Sequence, residues 1–145
     1  MLISSLVVAV LGCGDNKPPR ATPDARVVSP DADLVAHCTM GNADKIRFAQ
    51  GDGCANDGSV EFCIPDNNAA VLSTLAGIST TITCAPGGGR ANCLASPGLL
   101  LCSYPTVVPT ECVTHYGSMT TAAWSNVCAI SGIPEVTEIV QTILE

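Results

Sequence analysis

The sequence predicts a small α+β domain of short antiparallel strands and two C-terminal helices, cross-linked by disulfides. Three observations carry this expectation. Nine cysteines stand in 145 residues, a density found in exported domains that staple a limited core. Only 3% of the residues are aromatic while 47% are hydrophobic, so the core must be aliphatic and sulfur-rich. Short alternating or β-branched runs share the chain with segments of helical spacing. Charged residues make up 13% and the net charge is −7. That balance excludes a chain disordered throughout, and it excludes nucleic-acid binding by phosphate neutralisation.

The elements follow in order. Residues 45–50 and 59–64 alternate as half-buried strands, with Gly51-Asp52-Gly53 and Asn56-Asp57-Gly58 as turn residues. Asp66 or Asn67 caps a helix over 68–76 that places Val71, Leu72 and Leu75 on one face and ends at Gly77. Residues 78–84 read as a β-branched strand and 99–104 as a buried one. Ser118 caps a helix to about residue 130, with Met119, Ala123, Val127 and Ile130 inward and Gly132 beyond its end. Pro134 then opens a terminal helix in which Val136, Ile139, Val140, Ile143 and Leu144 fall at helical spacing. Its polar face carries Glu135, Glu138, Thr142 and Glu145, whereas a membrane-surface helix is rich in Lys and Arg.

Residues 2–11 form an apolar run interrupted only by Ser4 and Ser5. Ten residues make about 15 Å of helix, half the hydrocarbon thickness, so the run suits a signal peptide and not a membrane span. Val10-Leu11-Gly12-Cys13 resembles the lipobox of bacterial lipoproteins. The resemblance covers residues 2–13 and implies cleavage before Cys13, a diacylglycerol on its sulfur and a fatty acyl group such as palmitate on its amine. Gly14 in place of an Asp implies, by that family's sorting pattern, the outer membrane. Residues 1–12 are then the signal peptide. Residues 13–36 are the lipidated cysteine and a tether holding Pro18, Pro19, Pro23 and Pro30 among aspartates, extended by proline geometry. Residues 37–145 are the globular domain, with nine acidic and three basic residues and a net charge of −6. The implied partner is the membrane, through the anchor. A protein partner is left open.

With Cys13 assigned to the lipid, Cys38, Cys54, Cys63, Cys84, Cys93, Cys102, Cys112 and Cys128 remain. An even count in an exported domain reads as four disulfides. Two sequential patterns suit the spacing: 38–54, 63–84, 93–102 and 112–128, or 54–63, 84–93 and 102–112 with 38–128. No Cys-x-x-Cys occurs, so neither structural zinc nor a redox centre is expected, and no cofactor is assigned.

Three constellations invite chemistry. Gly87-Gly88-Gly89 before Arg90 could form an anion-binding nest or a plain turn. Asp52, Asn56, Asp57, Glu61 and Asp66 offer oxygen ligands but miss the EF-hand spacing, which leaves a looser Ca²⁺ site open. His115, with Ser118 and an acid, would be the site of a small hydrolase, although no nucleophile elbow accompanies them. Trp124, one turn before Cys128, is spaced to pack on a disulfide. The expected function is therefore a lipid-anchored extracytoplasmic envelope protein with a non-enzymatic binding or structural role, and no catalytic residue is assigned. The alternatives are an exported hydrolase at His115 and a disulfide-rich protease inhibitor presenting a rigid loop.

Overall fold

The computed structural model describes residues 38–55 and 58–142; Cys13, the signal peptide and the tether lie outside them. Four strands and two helices run in the order β1 (Ser59–Pro65), α1 (Ala69–Ile78), β2 (Thr83–Ala85), β3 (Leu99–Pro105), α2 (Thr121–Ser131) and β4 (Ile139–Gln141). The strands form one antiparallel sheet, ordered β2-β3-β1-β4. This is an α+β domain crossed by four disulfides.

Period-two alternation decides which sheet face is the core. Val60, Phe62 and Ile64 of β1 stand opposite Tyr104, Cys102 and Leu100 of β3, and Phe62 also stands opposite Ile139 of β4. Val60, Phe62, Ile64, Cys102 and Ile139 are fully buried against Val71 and Leu75 of α1 and Ala123, Val127 and Ile130 of α2. Each buried side chain of this size contributes about 1.5–3 kcal/mol relative to exposure. Glu61, Cys63 and Leu101 point to the other face, which residues 87–93 cover.

Both helices fall where their spacing predicts, with caps displaced by a residue or two. The Asn68 side chain accepts from Val71 N at 3.1 Å, so α1 is capped by Asn68 and not by Asp66 or Asn67. Thr120, not Ser118, caps α2 by accepting from Ala123 N. The terminal helix is not formed. Residues 133–136 turn and β4 follows, closing the free edge of β1; only α2 of the two expected C-terminal helices is present. Val136, Thr137, Ile139, Val140 and Thr142 are β-branched, and an unpaired strand edge satisfies their backbone better than an isolated turn of helix. Ser59 and Thr142 extend the pairing through their hydroxyls, 2.9 Å apart.

The expected strand at 45–50 shrinks to one bridge, Ile46 to Ile139, between short 3-10 turns at Ala43–Lys45 and Gln50–Asp52. The Asn42 side chain caps the first of these by accepting from Asp44 N at 3.0 Å. At 78–84, Ile78 closes α1 and only Thr83–Ala85 is strand.

The eight cysteines pair as Cys38–Cys128, Cys54–Cys112, Cys63–Cys93 and Cys84–Cys102. Of the two sequential patterns only the 38–128 closure occurs. Strand parity explains the rest. Cys63 lies on the outer face, where Cys93 arrives from the covering loop, while Cys102 faces the core with Cys84 directly opposite it in register. Trp124 packs edge-on to Phe48 at 6.0 Å. Four disulfides indicate an oxidising, extracytoplasmic environment. Among the described residues no helix is long and apolar enough to cross a membrane.

Candidate functional site

Beside the triple glycine the chain supplies its own anion, and a single backbone amide, that of Arg90, receives it. Glu61, only 7% exposed, accepts from Arg90 N at 2.6 Å. Gly89 has φ +53°, and a Cβ there would lie 2.5 Å from Glu61 Oε2 and within 2.8 Å of both Leu101 methyls. The external-ligand reading therefore gives way to an internal clamp that fastens residues 87–93 to the outer sheet face.

His115 lies in a β-turn closed by Gly117 N donating to Thr114 O at 3.3 Å. Its ring stacks obliquely beside Tyr116 at 6.4 Å. Tyr116 occupies the third turn position with φ +58°, a conformation that favours Gly or Asn. Cys54 N donates to Gly117 O at 3.0 Å and Val113 N to Ser118 O at 2.9 Å, so the turn is bound to the buried Cys54–Cys112 bridge. Glu111, the acid nearest in sequence, is buried and accepts from Val107 N at 3.3 Å. Its task is to hold this loop. Burial pushes the Tyr104 phenol up from 10.0; the Asn126 hydrogen bond offsets part of this and the charge of Glu111 adds to it.

Of the oxygen ligands, Glu61 is committed to Arg90, Asp66 accepts from the Asn67 side-chain amide, and Asn56 and Asp57 lie outside the described residues. Among the described residues no three His, Cys, Asp or Glu side chains converge as a metal group.

The structure adds a site that residue patterns do not show. A groove of about 540 Å³ opens between the start of α1 and the turn that follows α2, a volume in the range of ligand sites. Ala70 and Val71 form one wall; Ala129, Ile133 and Pro134 form the other; Met40 flanks them. The first segment is held in place by the Cys38–Cys128 bridge and by Gly41, φ +137°, whose Cβ would collide with Cys128 O at 2.0 Å. Asn42 N also donates to Ser131 Oγ at 3.0 Å. At the rim, Asn68 Nδ2 donates to Glu135 Oε1 at 3.2 Å, while Thr74 donates back to Ala70 O. The walls come from three segments far apart in the chain, which is why no local motif announces them. The faint sequence signal is small residues, Ala69 and Ala70, on the outer side of α1.

Fold and groove together define a disulfide-linked α+β domain carrying an open apolar surface with one carboxylate at its edge. No family model, curated protein or solved structure matches the chain.

Proposed function

We propose that the protein is a lipid-anchored envelope protein, attached to the outer membrane through Cys13, whose domain binds a partner and does not catalyse a reaction. The observation that carries this reading is the open, apolar groove, at whose polar rim Asn68 is bonded to Glu135 and Thr74 to the Ala70 carbonyl. Such a surface recognises; it holds no nucleophile and general base in contact. The four disulfides fit an exported domain, and the lipobox-like residues 10–13 fit an anchor. Three acyl chains would make attachment permanent, because one chain alone binds marginally at about 0.8 kcal/mol per methylene. The acidic domain could not replace them, since anionic head groups repel it.

The inhibitor alternative draws on the disulfide-bounded turn at 113–118. A protease cleft pairs with extended backbone, and the left-handed turn at Tyr116 is not extended.

Fractionation tests the anchor. Cys13→Ser is expected to move the protein wholly from the membrane pellet to the soluble fraction and to abolish palmitate labelling. Retention of the unaggregated variant in the pellet would overturn the lipoprotein reading.

A further inference from the structure

We infer that the groove between α1 and the turn after α2 receives a peptide segment that sets an aliphatic side chain beside a lysine or arginine. The inference rests on the binding role proposed above and names its ligand class. The apolar walls of Val71, Ile133 and Pro134 exclude water from an aliphatic group, and Met40, 74% exposed, adapts its unbranched side chain to whatever enters. The charge borne by the lining residues is the carboxylate of Glu135. Asn68 orients it through one oxygen, which leaves the remaining lone pairs to accept from a ligand donor. Lys45 is bonded instead to the Ile133 carbonyl at 2.8 Å and is not part of the lining. The domain as a whole carries −6, so a cationic segment is attracted and an anionic one repelled. Openness selects a peptide over a free small molecule. Small ligands take pockets that bury most of their surface, whereas a shallow groove suits a chain that continues beyond it.

The experiment titrates the full chain, disulfides intact, with acetyl-Lys-Leu-Val-Leu-amide, following backbone amide shifts by NMR. Saturable shifts at Ala70, Val71, Ile133 and Glu135 are expected, with a dissociation constant below about 1 mM. The same peptide with Glu for Lys should bind at least about threefold more weakly, and Glu135→Gln should reduce that preference, as an exposed charge pair allows. Ala70→Phe, an exposed substitution that fills the groove without touching the core, should abolish binding while leaving other amide shifts in place. Equal binding of the two peptides, shifts confined to residues 107–118, or equal competition by hexylamine would overturn the inference. So would binding that emerges only after deletion of residues 14–36 or on dissociation of a dimer, since the occupant would then be this chain's own tether or a second copy. The fractionation of Cys13→Ser is independent of these outcomes, so the anchor and the groove fail separately.

Discussion

Residues 86–95, folded over the outer face of the sheet, and residues 106–119, which follow β3, are assembled from matching parts. Each has a disulfide with a buried sulfur, Cys63–Cys93 in one and Cys54–Cys112 in the other. Each has a buried carboxylate accepting one backbone amide, Glu61 from Arg90 and Glu111 from Val107. Each places a residue in the left-handed region, Gly89 at φ +53° and Tyr116 at φ +58°. The difference lies in what surrounds that residue. Gly89 is pressed against Glu61 and Leu101, and no side chain fits there. Tyr116 is 68% exposed, with its ring beside that of His115; a side chain is accommodated there, and the left-handed backbone costs about 1–2 kcal/mol for a non-glycine residue. A backbone conformation thus constrains residue type strongly only where packing closes over it.

The largest expected effect should not separate the two loops. Replacing either cysteine pair by alanines removes a closure of 30 or 58 residues in sequence separation, worth about 4 kcal/mol each in the chain-entropy model. Urea denaturation of both double variants should give similar losses; a loss of less than half that in one loop would mean that its other contacts already hold it. Gly89→Ala separates them. It combines left-handed strain with a collision against Glu61 and Leu101, for an expected loss of about 2–4 kcal/mol.

A pH effect at Tyr104 of β3 should be coupled to the second loop, through Glu111, and not to the first. The Tyr104 pKa is raised in the folded protein, mainly by burial and further by Glu111. Above about pH 10 the unfolded chain releases a proton that the native chain keeps, so stability falls as pH rises through that window. Phenolate absorbance in a Tyr116→Phe background isolates Tyr104. Its titration should move down with Glu111→Gln and stay in place with Glu61→Gln; a shift with Glu61→Gln would break the distinction. The smallest effect is Tyr116→Gly. Relief of left-handed strain is offset by the greater freedom of glycine in the unfolded chain, so stability should change by less than about 1 kcal/mol. A loss of more than that by thermal denaturation would show that the tyrosine ring packs structurally.

Much of this fold could be read from local pattern. Alternation at 59–64 puts Phe62 on a buried face whatever its partner, because side-chain period is a property of the strand itself, and the apolar run at 99–104 reads as a buried strand. Cap chemistry near residues 68 and 120 starts the two helices, since the first amides of any helix need acceptors from nearby in the chain. The cysteine count, with no Cys-x-x-Cys, points to an oxidised domain before any pairing is known. What needed the tertiary structure was every feature in which one segment answers another. Residues 139–141 became a strand because β1 offered an open edge, although their spacing suits a helix equally well. Cysteine partners followed from which sheet face each sulfur occupied, and the Arg90 amide after the triple glycine met Glu61 because that carboxylate lay beneath it. The groove is the extreme case: Met40 and Ile133 carry no mark in sequence, and the Cys38–Cys128 bridge, the close approach at Gly41 and the Asn42–Ser131 hydrogen bond bring them together. Local physics acts through neighbours along the chain, whereas pairing, burial and cavities depend on contacts between residues that local patterns do not relate.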